Sequence, residues 1–235
     1  MKILPGIIAL CVASTLASAK PLPHYTKSIH GGKKGWWTAV ASYPTFNAHS
    51  AVLNLGSAEL KSNAAKLVAG FLKEAPGFLM DNAKPDYAFE FDSSFAISYA
   101  SQTLLSLNLS NYESVGAAHP NITLEAFNFG LVHGKPKHLD LQDLFKPDVK
   151  AASELSDLLM KALRKMHLSF IEDGTVKELT AMQFNNFVIT TKGLSYMFSA
   201  YEVASYAEGP QFVDLSFKQL QGLDPNGPLK GIWKR

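Results

Sequence analysis

Two stretches of this 235-residue chain concentrate side chains that bind or react. The first is Tyr201-Glu202-Val203-Ala204-Ser205-Tyr206-Ala207-Glu208-Gly209-Pro210, with two tyrosines, two acids and a Gly-Pro bend. Tyrosine rings are large, rigid and wet at one end, so such a segment suits glycan or protein contacts. In the alternative, both rings pack inward and their hydroxyls satisfy loop carbonyls. The second stretch is Ser114-Val115-Gly116-Ala117-Ala118-His119-Pro120-Asn121. Small residues let the backbone approach closely, and Pro120 restricts the chain after His119. His119 either donates to a ligand or bonds to neighbouring backbone and holds a turn. The candidate ligand-binding residues are therefore Tyr201, Glu202, Tyr206, Glu208, His119 and Asn121.

No residue set that compels catalysis accompanies them. The chain has no Gly-rich phosphate loop, no Gly-x-Ser-x-Gly elbow and no His-Glu-x-x-His. Glu202 and Glu208 imitate a glycosidase pair in composition, although loop acids in solvent look the same. His133 and His138 flank a Gly134–Pro136 turn, but a zinc site there has no third ligand in sequence. The single cysteine, Cys11, lies near the N-terminus. The expectation is no catalytic residue, no metal and no cofactor. Asn108-Leu109-Ser110 and Asn121-Ile122-Thr123 match the glycosylation triplet, which carries weight only in a eukaryotic secretory host.

The elements that would carry these residues follow from periodicity. A strand is expected over 36–46. A helix is expected over 57–74, with Ser57 as cap and Pro76-Gly77 as stop; Leu60, Ala64, Val68 and Phe71 form its apolar face. Alternation predicts strands on either side of a break at Ser93-Ser94, a looser strand over 103–109, and another over 123–132. A second helix is expected over 151–167, with Leu155, Leu159 and Leu163 in its apolar stripe. A hairpin over 187–198 would turn at Lys192-Gly193, where Gly193 supplies a positive φ. A strand over 211–215 and a short closing helix over 216–220 complete the pattern. Strands in runs with few helices between them indicate an α+β fold of antiparallel sheets with two main helices packed on one face.

Composition sets the class. Hydrophobic residues make up 47% and charged residues 18%, which excludes a disordered or low-complexity chain. Lys and Arg number 22 against 20 Asp and Glu, so no basic excess favours nucleic acid. Lys2, an apolar run over 3–16 and Ala17-Ser18-Ala19 read as a signal peptide over 1–19, cleaved after Ala19. The run is short for a span of about 20 residues, and no later run is apolar enough. The expected location is secreted or periplasmic, with no membrane span after cleavage. Residues 20–35, with Lys20, Lys27, Lys33 and Lys34 and no acid, read as a flexible basic arm; residues 223–235 read as a tail.

Three marks in order carry a resemblance: Gly116-Ala117-Ala118-His119; Gly134-Lys135 followed by Leu139-Asp140-Leu141-Gln142-Asp143-Leu144-Phe145; and Tyr201 to Pro210. On these the chain resembles the extracellular domain of unknown function shared by the lysozyme-sensing anti-sigma factor RsiV and the peptidoglycan deacetylase PdaC. The resemblance places that domain over 113–222 and a companion portion over 36–112. It implies an exported α+β domain with no known chemistry of its own. In the anti-sigma factor the domain binds lysozyme, and in the deacetylase catalysis belongs to a separate domain. The expected function is a non-catalytic binding module of the bacterial envelope, its partner lysozyme or peptidoglycan and not nucleic acid. A carboxylate-dependent glycan hydrolase and a structural envelope component are the alternatives.

Overall fold

The computed structural model describes residues 22–47, 49–79 and 83–233; the expected signal peptide lies outside them. Six strands form one sheet in sequence order: β1 (His24–Lys33), β2 (Trp37–Phe46), β3 (Phe89–Ala100), β4 (Leu104–Ser114), β5 (Asn121–Val132) and β6 (Lys135–His138). Neighbours are antiparallel except β2 and β3, which run parallel. A parallel pair needs a long crossover. Helix α1 (Ala51–Glu74) supplies it and lies across one face of the sheet.

The α1 face that turns inward carries Leu53, Leu60, Ala64, Val68 and Phe71, at three- and four-residue spacing. It meets Ala39, Ala41, Phe91, Leu105, Leu107 and Phe129 of the sheet. Gly56 permits the close approach: a Cβ there would stand 2.7 Å from Leu105 Cδ2 and 3.1 Å from Phe129 Cδ2. The helix begins at a different cap from the expected Ser57. Ser50 accepts from Leu53 N at 3.2 Å and donates to Gln102 O at 2.6 Å, while Ser57 lies within the helix.

A second sheet, β7 (Phe187–Ile189), β8 (Gly193–Phe198) and β9 (Gln211–Ser216), is antiparallel throughout. Helix α2 (Ala151–Arg164) contributes Leu155, Leu159 and Leu163 to its core. The outer face of β4 and β5 packs on this sheet through a closed polar set. Ser106 Oγ donates to Asn128 Oδ1 at 2.7 Å and accepts from Ile189 N at 2.7 Å, and Asn128 Nδ2 donates to Phe187 O at 2.7 Å. Strand β4 is thus buried on both faces over Leu104–Leu107. The architecture is the expected α+β, with mainly antiparallel sheets and two main helices.

Four local expectations are corrected. The basic arm is not loose chain over 24–33: these residues form β1, hydrogen-bonded to β2 along their whole length. Ser93-Ser94 does not break β3; Ser93 is buried, and its hydroxyl donates to Asn111 Oδ1 at 2.6 Å. Gly193 is not the positive-φ residue of a turn but the first residue of β8, where a Cβ would collide with the Leu215 carbonyl. The closing helix expected over 216–220 is absent: Ser216 ends β9 and residues 217–219 form a turn, after which Leu220, Leu223 and Leu229 are buried in the second core.

Candidate functional site

The structure brings His119, Tyr201 and Tyr206 into one aromatic cluster, in which His119 stacks on Tyr206 and Tyr201 lies tilted beside them. His119 follows the bend after Gly116 (φ +80°), in the connection between β4 and β5. The tyrosines come from the connection between β8 and β9. The His119 ring lies 3.7 Å from that of Tyr206, at 20° between planes, and 6.3 Å from that of Tyr201. The two tyrosine rings are 5.7 Å apart. His119 Nδ1 lies 3.1 Å from Pro120 O and its Nε2 lies 3.3 Å from Tyr201 Oη. A proton on Nδ1, donated to the carbonyl, leaves Nε2 to accept from the Tyr201 hydroxyl.

The two tyrosines differ in how they are used. Tyr206 Oη donates to Pro120 O at 2.8 Å and its ring is half-buried, so it packs inward and holds the loop. Tyr201 is 53% exposed and sits at φ 68°, a left-handed conformation that bulky residues rarely adopt. Its turn is closed by Tyr201 N to Ala204 O at 3.1 Å and Glu202 N to Ser199 O at 3.1 Å, above the fully buried Val203. Backbone held against its preference beside an exposed aromatic ring fits a presenting loop.

The acids are not free solvent groups. Glu202 is half-buried; its carboxylate accepts from Ser199 N at 2.7 Å, and burial pushes its pKa up. It also lines a shallow depression of about 470 Å³ with Thr180, Gln183 and Lys177. Glu208 is exposed but saturated. It accepts from Ser169 Oγ, from Ser205 Oγ at 2.6 Å, from Ser169 N at 3.0 Å and from Ser205 N at 2.9 Å. The Ser169 hydroxyl, the Ser205 hydroxyl and both amides hold its pKa down at about 2. A carboxyl so stabilised as its anion does not donate a proton at neutral pH, so Glu208 joins the 205–208 turn to the 169–172 helical turn instead. Asn121 opens β5, exposed, in register with Glu113.

The two histidines weighed for zinc do other things. His133 (φ 49°) and Gly134 (φ 75°) form the tight β5–β6 turn, whose two central residues need positive φ. His138 lies 4.8 Å from the Phe129 ring and places Nδ1 3.1 Å from Glu59 Oε2. Among the described residues no group of three or more His, Cys, Asp or Glu is arranged to hold a metal ion.

Two polar residues that set the site escaped the sequence reading. Asn186 Oδ1 accepts from Ala126 N at 2.9 Å, and its Nδ2 donates to Leu124 O at 3.1 Å and to Met197 O at 2.8 Å. Ser199 Oγ accepts from Leu124 N at 3.0 Å. Together they bind the outer edge of β5 to the second sheet and so fix His119 opposite Tyr201. An Asn before a strand reads locally as a turn residue, and nothing near it in sequence names its partners.

Two family models each match part of the chain. Residues 32–122 match a family model described as deacetylase PdaC, and residues 142–218 match a protein of unknown function, DUF3298. The peptidoglycan-N-acetylmuramic acid deacetylase PdaC of Bacillus subtilis is 27% identical over 130 residues, 54% of this chain; the chain spans 27% of that relative's length. Solved DUF3298 structures share the fold. One from Pseudomonas aeruginosa has TM-score 0.59 at 16% identity, over 87% of this chain and 96% of its own. One from Bacteroides fragilis has TM-score 0.53 at 14% identity, over 88% and 95%. The chain therefore resembles the domain made of a PdaC-type segment followed by a DUF3298-type segment, and it has the fold of solved DUF3298 proteins.

Proposed function

We propose that this protein is an envelope-associated binding module that recognises a lysozyme-like muramidase or cell-wall glycan without acting on it chemically. The observation that carries the reading is the exposed Tyr201 ring, set beside the stacked His119 and Tyr206 rings on strained backbone. An aromatic held rigid before binding loses little entropy when a partner covers it, and its hydroxyl offers one directed hydrogen bond. The envelope context is supported by the relative PdaC, a peptidoglycan-N-acetylmuramic acid deacetylase. No described helix is long and apolar enough to cross a membrane. Export and cleavage after Ala19 belong to the same reading.

Capture on immobilised lysozyme and on insoluble peptidoglycan tests it. The unsubstituted chain is expected to be retained by at least one. Tyr201→Ala is expected to weaken that retention at least tenfold while the thermal unfolding curve stays cooperative, since truncating a central aromatic anchor costs about 2 kcal/mol or more. Retention of neither ligand, at low and at moderate salt, overturns the proposal.

A further inference from the structure

A second surface stands at the same end of the large sheet, and the Tyr201 site makes no use of it. Strand register places Lys33 opposite Trp37 and Trp37 beside Phe89; Glu90 lies opposite Ser114 and Glu113 opposite Asn121. The β1–β2 turn and the β4–β5 connection that bears His119 therefore project from one edge of the molecule. Their centres are three strand spacings apart, roughly 14 Å.

The β1–β2 turn joins aromatic rings to ammonium groups. Lys33 Nζ lies 3.6 Å from the centre of the Trp36 ring and 5.5 Å from that of Trp37, and the two indoles meet edge to face at 5.9 Å. A cation over an indole is positioned by the ring but keeps its full charge for an anion. Gly35, at φ 76°, makes the turn, and Lys84 Nζ packs over it, 3.2 Å from where a Cβ would be. Lys34 is exposed beside them. Among the described residues no carboxylate lies within 4 Å of Lys33, Lys34 or Lys84. The turn is tied down by Phe89 N donating to Trp36 O at 2.8 Å, and Tyr87, two residues before Phe89, is 87% exposed. Asp86 and Glu90, the acids nearest in sequence to Lys84 and Phe89, are exposed and form no ion pair with these lysines within 4 Å.

We infer that this turn is a binding surface for an anionic polysaccharide. Tyr87 and the Trp36 indole would take the C–H faces of sugar rings, with Trp37 packed behind them against the core, and Lys33, Lys34 and Lys84 would take their acidic groups. The inference extends the envelope reading to a second contact, separate from Tyr201. A sugar acid fits better than a bilayer. The large exposed hydrophobics at this end are Tyr87, Phe78 and Tyr201, and among the described residues no Leu, Ile or Val is a large exposed hydrophobic that could enter hydrocarbon.

The test is binding of the full chain to polygalacturonate, with neutral dextran and phosphatidylglycerol vesicles as the other arms. Polygalacturonate is expected to bind, to weaken steeply with added salt, and to lose at least tenfold affinity on Lys34→Glu with Lys84→Glu, two exposed changes that leave the Lys33–Trp36 contact in place. Tyr87→Ala is expected to weaken binding severalfold without altering its salt dependence. Tyr201→Ala is expected to leave it unchanged, so failure of the muramidase or peptidoglycan reading is distinguishable from failure here. Equal binding by the charge-reversed chain, equal binding to dextran, binding to vesicles but not polymer, or loss on Tyr201→Ala each overturns the inference.

Discussion

Glu202 and Glu208 look interchangeable in sequence, two loop acids six residues apart, yet the fold treats them oppositely. Burial raises the Glu202 pKa, so its ionisation weighs against the folded state as pH rises through the ordinary carboxyl range. The Ser169 and Ser205 donors lower that of Glu208 from 4.5 to about 2. A carboxyl lowered by folding contributes stability that is present above its unfolded pKa and is lost as pH falls toward the folded one. Glu208→Gln is therefore expected to lower the melting temperature at pH 6, and that deficit should shrink steadily between about pH 5 and pH 2. Melting curves across that range check it, and a deficit independent of pH refutes the assignment. The distinction was not legible beforehand because its cause, Ser169, lies 39 residues from Glu208 and meets it only in the folded chain. The Tyr201–Pro210 and Ser114–Asn121 stretches were legible, since tyrosines on irregular backbone and small residues before a His-Pro pair depend on local chemistry alone.

Elements were read where their pattern is internal and missed where a neighbour creates them. Strand β3 alternates Phe89 and Phe91 with exposed Glu90 and Asp92, which is visible in sequence. Strand β1 has almost no buried side chain, and it is a strand because β2 offers it an unpaired edge. Its lysines suit an edge that must resist pairing with other chains. Along Leu124–Ala126 of β5 the role of a pairing strand passes to the single side chain of Asn186, whose amide supplies both an acceptor and a donor to the edge. Asn186→Ala strands the Ala126 amide and the Leu124 and Met197 carbonyls, partly buried groups that cost about 1–3 kcal/mol when unpaired. The expected results are a loss of that size in urea-unfolding free energy and faster amide exchange at Ala126. Unchanged exchange there would show that another group holds the edge.

At the scale of the molecule, two apolar cores share β4 and β5. Leu105, Leu107 and Phe129 belong to the core under α1, whereas Leu104 belongs to the core around α2. The Ser106–Asn128–Ile189 bonds tie the two sheets together between them. The division expected after residue 112 falls inside β4, near its end, and would separate strands in register from Leu104–Gly130 to Glu113–Asn121. The family matches divide elsewhere, ending at 122 and resuming at 142, with most of β5 and all of β6 between them. Sequence similarity thus marks two segments where packing makes one unit. A fragment of residues 113–233 keeps α2 and β7–β9 but exposes Phe127 and Phe129 and leaves Asn128 without Ser106. It is expected to show no cooperative thermal transition alone, and to regain one when mixed with residues 22–112. Calorimetry of each fragment and of the mixture checks this. A cooperative transition in 113–233 alone, at the midpoint of the whole chain, would mean that the second core stands without the first.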